Sequence, residues 1–192
     1  MPTKFDIRKK HLLLSEERFE ALQPGKLLRS LGLRKGMTLA DIGCGPGFFT
    51  LPAAEIVGPD GQIFAADIQG EMLTTVRERV AEAGLSNVRI VKTSDTEVPL
   101  PAASCDIVLL AFVLHEIGAR ASFLHKTARI LKPTGRVIVM EWRTSEEGGS
   151  DSSEPITLED VAADAAAAGL RQEESRDLGE NDYICVLTPA KS

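Results

Sequence analysis

The segment with the clearest chemical signature is LADIGCGPGFFT at positions 39–50. We call its residues 43–49 the glycine turn. Three glycines alternate in it, at Gly43, Gly45 and Gly47. Because these residues carry no Cβ, the backbone can turn tightly there and approach a ligand closely. A helix is predicted to begin near Phe48, and a helix N-terminus adds N–H donors and positive partial charge. Such a turn from a buried strand into a helix is typical of nucleotide and nucleoside sites in doubly wound sheets.

The spacing of this segment narrows the class of ligand. A dinucleotide fingerprint requires a glycine where Phe48 stands, and a Walker phosphate loop requires a G-K-[ST] ending that the segment lacks. Asp41 lies two residues before the first glycine, and a carboxylate at the entrance to the turn disfavours a phosphate. The segment therefore predicts a ligand that carries positive charge.

Two further acidic residues lie at or just beyond the ends of the next two β-rich runs along the chain. Asp67 ends the run QIFAAD, and Asp95 lies just beyond the run VRIVK. Acids often end strands in loops, so either residue alone is weak support for a site. Together with Asp41 and the glycines, they indicate one binding site built from successive strand ends.

A second group of polar and aromatic residues follows the fourth and fifth predicted strands, in AFVLHEI and MEWR. We expect both strand ends to open onto the same crevice as the glycine turn. His115 and Glu116 are the candidate catalytic residues, since a histidine can deprotonate a hydroxyl or amine near neutral pH; alternatively, His115 caps a helix or orients a loop. Trp142 is expected as a lid or core contact rather than a stacking platform. No ligand spacing supports a metal site. The group comprises Phe112, His115, Glu116, Glu141, Trp142 and Arg143.

The elements that carry these residues alternate between short β-rich runs and longer runs of helical spacing. Such alternation predicts an α/β fold: a doubly wound, mostly parallel seven-stranded sheet with helices on both faces. The last two strands should form an antiparallel C-terminal hairpin, because no crossover helix separates them. Strands are predicted at Met37–Ile42, Gln62–Asp67, Val88–Lys92, Cys105–Ala111, Arg136–Trp142, Arg171–Leu178 and Asp182–Thr188, and central helices at Phe48–Val57, Gly70–Ala83 and Ala119–Leu131.

Residues 1–35 are predicted to form a helical preface, in which Ser15 caps one helix and Pro24 opens the next. The preface begins with the basic cluster Lys4, Arg8, Lys9, Lys10 and His11. This cluster is either a solvated, frayed terminus or a flap over an anionic or nucleotide-bearing ligand. Residues 144–155 are predicted to form a flexible acidic loop.

Length and composition limit the remaining possibilities. The 192 residues suit one domain over 1–192, and a net charge of −6 does not indicate a nucleic-acid binder. Three cysteines without a CxxC pair suggest neither zinc nor a disulfide framework, so a cytoplasmic protein is expected. No apolar run is long enough to span a membrane, and no signal peptide is recognisable.

The motif LADIGCGPG resembles the first motif of the class I S-adenosylmethionine-dependent methyltransferases, and the resemblance extends from about residue 25 to 190. It implies that the glycine turn, including Cys44, wraps the methionine part of the cofactor and that Asp41 holds its amino group. It further implies that Asp67 binds the ribose hydroxyls and that Ile68 packs on the adenine. The remaining implied cofactor contacts are Asp95 to the adenine amino group, a backbone N–H of Thr96, and the strand that ends at Ala111. The segment LKPTGR resembles the turn before the family's fifth strand, with Thr134 in place of a glycine.

The function expected from this resemblance is transfer of a methyl group from S-adenosylmethionine to an acceptor by in-line displacement, leaving S-adenosylhomocysteine. A small-molecule acceptor is expected because the chain has no large insertion or target-recognition domain. A protein acceptor is the second possibility, and nucleic acid is not expected. A non-catalytic cofactor-binding partner protein is the alternative from another class. A nicotinamide oxidoreductase is disfavoured by Phe48 and Asp41.

Overall fold

A computed structural model describes residues 5–94, 97–143 and 155–190. The chain divides into two compact units, the first of which spans Asp6–Ser94 and the second of which contains Phe5 and the described residues after Ser94. The predicted flexible loop at 144–155 lies outside the described residues, except for Pro155. Lys4, Asp95 and Thr96 also lie outside them. A single domain over 1–192 stays a prediction.

The first unit begins with helices and continues as a strand–helix alternation. A 3-10 helix over Ile7–Leu14 precedes two short helices, and three parallel strands follow with the register pairs Asp41↔Ala65 and Asp67↔Lys92. Its elements are α1 (Glu16–Leu22), α2 (Pro24–Ser30), β1 (Thr38–Ile42), α3 (Thr50–Val57), β2 (Gln62–Asp67), α4 (Gly70–Glu82) and β3 (Val88–Lys92).

The second unit carries the remaining strands and two helices. β4 and β5 are parallel, whereas β7 is antiparallel to both β5 and β6, which confirms the predicted C-terminal hairpin. The elements are β4 (Cys105–Ala111), a 3-10 turn (Leu114–Glu116), α5 (Arg120–Ile130), β5 (Leu131–Trp142), α6 (Leu158–Ala167), β6 (Leu170–Leu178) and β7 (Asp182–Pro189). The seven strands have the order β3-β2-β1-β4-β5-β7-β6, so the predicted fold class is confirmed.

Local sequence signals account for most element boundaries. The Ser15 hydroxyl accepts a hydrogen bond from the Arg18 amide at the start of α1. Thr157 and Asp160 form a reciprocal capping box at the start of α6. Gly84 and Gly169 follow the ends of α4 and α6 with positive φ, where a residue with a Cβ would be strained.

The fifth strand begins earlier than predicted. Leu131 pairs with Cys105 and Arg136 pairs with Ile107, so the intervening residues leave the register as a bulge inside β5. The predicted turn at LKPTGR is therefore a bulge within β5. A Cβ at Gly135 would lie 2.9 Å from the Cys105 carbonyl oxygen, so this bulge requires a glycine.

The central strands are buried as parallel strands covered on both faces should be. Leu109 and Leu110 of β4 and Val139 and Met140 of β5 are fully buried. Such strands form a rigid support for side chains and turns at their ends. None of the described helices combines the length and the apolar composition that a bilayer span requires.

Candidate active site

The glycine turn leaves β1 in a left-handed conformation that its three glycines adopt without strain. The φ angles are 72° at Gly43, 52° at Gly45 and 88° at Gly47. The N–H groups of Gly43 and Cys44 donate to the Ala66 carbonyl oxygen at 2.8 and 3.0 Å. The first half of the turn is therefore fixed against the end of β2.

Asp67, at the end of β2, is bonded to the turn through its carboxylate. Its Oδ2 accepts from the Gly45 N–H at 2.9 Å, and its Oδ1 accepts from the Gln69 N–H at 2.7 Å. Burial raises the pKa of Asp67, although these two backbone donors oppose the rise. The neighbouring Ile68 is half-buried, and its carbonyl oxygen accepts a hydrogen bond from the Lys92 ammonium.

Asp41 is the second buried carboxyl group of this region. Its Oδ2 accepts a 2.6 Å hydrogen bond from the Thr50 hydroxyl of α3. Burial raises the pKa of Asp41 to about 7; the Thr50 bond lowers it, and the nearby charge of Asp67 raises it further. Two buried carboxyl groups of this kind are stabilised in their charged form by a cationic ligand.

Cys44 has its side chain directed into the core. It belongs to a buried apolar cluster with Ala65, Leu73, Val76 and Val80. Burial raises the pKa of the Cys44 thiol, with further rises from Asp41 and Asp67, so the thiol stays neutral. Its predicted cofactor contact stays a prediction.

The N-terminal preface packs on the glycine turn. A Cβ built on Gly45 would lie 3.5 Å from Leu13 Cδ1, and the Lys10 ammonium donates to the Thr75 hydroxyl of α4 at 3.1 Å. The Phe19 ring of α1 lies 4.5 Å from the Phe48 ring, centroid to centroid. These contacts agree with the flap hypothesis for the basic cluster, and its ligand stays a prediction.

In the second unit, His115 and Glu141 form a buried pair. His115 Nδ1 lies 2.9 Å from Glu141 Oε2, and the His115 backbone N–H donates to Oε1 of the same carboxylate at 3.2 Å. Glu116, the other candidate catalytic residue, is farther away, with its Oε1 3.9 Å from His115 Nε2. Both side chains of the pair are almost inaccessible to solvent, at 3% for His115 and 1% for Glu141. Glu141 therefore fixes the orientation of the imidazole ring.

Aromatic rings lie beside this pair. Trp142 lies 4.6 Å from the His115 ring and stacks on Phe112 at 4.9 Å, centroid to centroid. Phe112 follows Ala111 at the end of β4 with a φ of 59°, a conformation that costs a bulky residue energy. Such strain is found most often at functional positions.

The two units thus hold two groups of predicted site residues. The first contains Asp41, the three glycines and Asp67, and the second contains Phe112, His115, Glu116, Glu141 and Trp142. Asp95 and Thr96 lie outside the described residues. Sequence reasoning did not identify Thr50 as the partner of Asp41; its place in the first turn of the helix after the glycines was the available signal. Across residues 5–94, 97–143 and 155–190, no cluster of three or more His, Cys, Asp or Glu residues is arranged to hold a metal ion.

Comparison with known proteins identifies the family. The family model described as "Methyltransferase domain" matches residues 40–139. The chain is 35% identical over 112 residues to the ubiquinone/menaquinone biosynthesis C-methyltransferase of Azotobacter vinelandii, and 35% identical over the same length to that of Pasteurella multocida. These matches cover 58% of this chain but only 44% and 42% of the two relatives, so the chain matches less than half the length of either.

Solved structures extend the similarity to nearly the whole chain. An S-adenosylmethionine-dependent methyltransferase from Aquifex aeolicus aligns with a TM-score of 0.87 and 30% identity, over 96% of this chain and 98% of that one. The pyocyanin biosynthetic protein PhzM, at 22% identity and a TM-score of 0.76, covers 93% of this chain and 57% of its own and shares the fold. The predicted resemblance and cofactor are confirmed: the chain belongs to the methyltransferase domain family and is an S-adenosylmethionine-dependent methyltransferase.

Proposed function

We propose that this protein methylates a small aromatic acceptor that carries an ionisable hydroxyl group, and that His115 removes the proton of that hydroxyl. The observation that carries this proposal is the buried His115–Glu141 pair. A small-molecule acceptor also agrees with the printed names of the curated relatives, which refer to the biosynthesis of ubiquinone and menaquinone.

The chemistry of the glycine turn and its acids suits the family's cofactor. A Cβ at Gly47 would lie 3.0 Å from Leu51 and 3.3 Å from Val76, so a side chain here would displace these neighbours, and the φ of 88° also favours glycine. Asp41 is suited to the cationic amino group of S-adenosylmethionine and Asp67 to its ribose hydroxyls. When bound, the cofactor supplies a methyl group already activated by its sulfonium, so the acceptor needs orientation and, where it is protonated, a base.

The His115–Glu141 pair has the properties of such a base. With the Nδ1 proton donated to Glu141, Nε2 retains a lone pair that can accept a proton from a hydroxyl group. The Glu141 carboxylate then stabilises the imidazolium that forms. Loss of its proton makes a phenol oxygen, and the ring carbons ortho and para to it, more nucleophilic. The same base therefore serves O-methylation, and it serves C-methylation when the methylated ring carbon afterwards releases its own proton and the ring becomes aromatic again.

The surroundings of the pair suit a flat acceptor. The stacked rings of Phe112 and Trp142 provide an apolar surface beside the imidazole, on which an aromatic ring gains contact area. This assigns Trp142 a part in acceptor binding, in contrast to the lid or core contact expected from the sequence. A cytoplasmic location remains part of the proposal, supported by three cysteines that are all buried thiols.

The test is a screen of phenols, catechols and hydroquinones for methyl transfer, with their methyl ethers as controls that lack the hydroxyl. Mass spectrometry of the product distinguishes O-methylation from C-methylation. We expect His115→Ala to lower kcat by about a hundredfold or more, with partial recovery at higher pH. His125→Ala is the matched control, because His125 is an exposed histidine of α5.

Replacing each acid separately identifies the partner of His115. Glu141→Gln should lower kcat strongly, because the amide cannot stabilise the imidazolium, whereas Glu116→Gln should have a small effect. Full activity of His115→Ala on a phenol would contradict the assignment of the base. Methylation restricted to acceptors without an ionisable hydroxyl would contradict the acceptor class.

A further inference from the structure

The tip of the glycine turn is held by a residue from a distant part of the sequence. The guanidinium of Arg79, in α4, donates through Nη1 to the carbonyl oxygen of Pro46 at 2.6 Å. The two residues are 33 positions apart. A charge-assisted hydrogen bond of this length is among the stronger interactions a side chain can make with a carbonyl group.

The same guanidinium lies against the next residue of the turn. A Cβ built on Gly47 would lie 3.6 Å from Arg79 Nη1, and the φ of Gly47 is 88°. The Gly47 N–H donates to the Cys44 carbonyl oxygen at 3.0 Å, so it points back into the turn. The peptide group between Pro46 and Gly47 is therefore fixed at both ends, by Arg79 at the carbonyl and by Cys44 at the N–H.

Arg79 lies on a helix, α4, that is packed firmly against the core. Val76 and Val80 of α4 belong to the apolar cluster that contains Cys44, so the helix packs directly beneath the turn. Partial burial lowers the pKa of Arg79, which is the cost of removing its charge from water. A half-buried charge is retained most readily where a hydrogen bond compensates this cost, and the Pro46 carbonyl provides one.

We propose that Arg79 is a positioning residue for cofactor binding: it holds the Pro46–Gly47 peptide so that the glycine turn keeps its binding conformation. Arg79 acts through the turn and not by contact with the reacting atoms. This inference rests on the cofactor of the family and is independent of the proposed acceptor.

The test compares Arg79→Met with Arg77→Met, because Arg77 is an exposed arginine two residues away on the same helix. Calorimetric titration with S-adenosylhomocysteine measures the affinity of each variant without any acceptor. We expect Arg79→Met to bind about tenfold more weakly, as loss of a hydrogen bond to a charged group implies, and Arg77→Met to bind like the wild type. Arg79→Lys, which keeps the positive charge but lacks the planar guanidinium group, should recover part of the affinity.

Amide hydrogen exchange in the ligand-free variants separates a positioning role from a general structural one. We expect faster exchange in residues 43–49 of Arg79→Met, with the exchange of β1 and β2 unchanged. If Arg79→Met does not fold, the same two measurements on Arg79→Lys decide the matter. Affinity and exchange in the Arg79 variants equal to those of Arg77→Met would overturn the proposal, as would uniformly faster exchange throughout the first unit.

Discussion

Left-handed residues follow both β1 and β4, but the residue types differ: small glycines follow β1 and a bulky phenylalanine follows β4. After β1 the conformation is adopted by glycines, for which it costs little. After β4 it is adopted by Phe112, whose bulky side chain makes the same φ region costly. The left-handed residues after β1 could be predicted from the glycines in the sequence. That of Phe112, which stacks on Trp142, has no such signal.

The polar groups at the two ends also differ. Near β1, the carboxylates of Asp41 and Asp67 are bonded to a hydroxyl and to backbone N–H groups, an arrangement suited to holding a ligand. Beyond β4, a histidine is paired with a carboxylate, an arrangement suited to moving a proton. We therefore propose that the acids of the first unit bind the cofactor and that the histidine of the second unit transfers the proton.

The largest effect should come from adding a methyl group at the glycine turn. Gly47→Ala places a Cβ 3.0 Å from Leu51 in a left-handed residue, so we expect a loss of about 2–3 kcal/mol in the free energy of unfolding and weaker binding of S-adenosylhomocysteine. Gly84→Ala is the control, since its φ is also positive but no atom lies within 4 Å of the added Cβ. Denaturant unfolding and calorimetry measure both quantities. Equal losses in the two variants would show that the close contacts at Gly47 do not matter.

A smaller, pH-dependent effect should follow from Asp41. Its folded-state pKa of about 7 lies above the ordinary value of 3.8, so the folded protein binds more protons than the unfolded chain between these values. The contribution of Asp41 is therefore greatest below about pH 4 and declines as the pH rises to 7. We expect the ligand-free wild type to lose on the order of 2 kcal/mol of stability between pH 5 and 7.5 through this group.

Asp41→Asn should remove that pH dependence, because the amide does not titrate. The variant should be more stable than the wild type at pH 7.5 yet bind S-adenosylhomocysteine more weakly, since it lacks the carboxylate that we propose to hold the ligand's amino group. Urea unfolding at the two pH values and calorimetry at pH 7.5 measure these opposite changes. An unchanged pH dependence in the variant would assign the titration to another group, such as Asp67, whose charge raises the pKa of Asp41.

The smallest expected effect is on the free energy of unfolding, and it measures the backbone strain at Phe112. Exchanging alanine for glycine at a left-handed residue should stabilise the protein, so we expect Phe112→Gly to exceed Phe112→Ala in unfolding free energy by about 1 kcal/mol. At Ala81, an exposed residue within α4, Ala81→Gly should instead destabilise by about 0.5–1 kcal/mol. The same sign of change at both positions would mean that Phe112 carries no strain.

Much of the fold could be predicted because its signals are local. The strands Gln62–Asp67, Val88–Lys92 and Cys105–Ala111 have the predicted boundaries, since apolar runs and flanking loop residues define them. The bulge in β5 was not predicted, and the 3-10 helix over Ile7–Leu14 was predicted only as part of the helical preface, without bounds of its own. Both elements make contacts with residues distant in sequence, Lys10 with Thr75 and Leu131 with Cys105, which a single sequence does not reveal.

The candidate site could be predicted in part for the same reason. The glycines follow β1, and the two acids lie at the ends of β1 and β2, strands that the sequence makes recognisable. The bonds that fix them come from Thr50 and Arg79. The place of Thr50 at the start of the helix after the glycines was a usable signal, whereas the role of Arg79 follows from tertiary packing and leaves no pattern in a single sequence. His115 was recognised as a candidate, but its partner across 26 residues, Glu141, was not distinguished from the adjacent Glu116.

The assignment of the two functions to the two strand ends is tested most directly by calorimetric titration of the wild type, Asp67→Ala and His115→Ala with S-adenosylhomocysteine. We expect micromolar binding by the wild type. His115→Ala should bind equally well, because its loss affects proton transfer only, and Asp67→Ala should lose binding. Undiminished binding by Asp67→Ala, or a loss in His115→Ala as large as that in Asp67→Ala, would contradict this division.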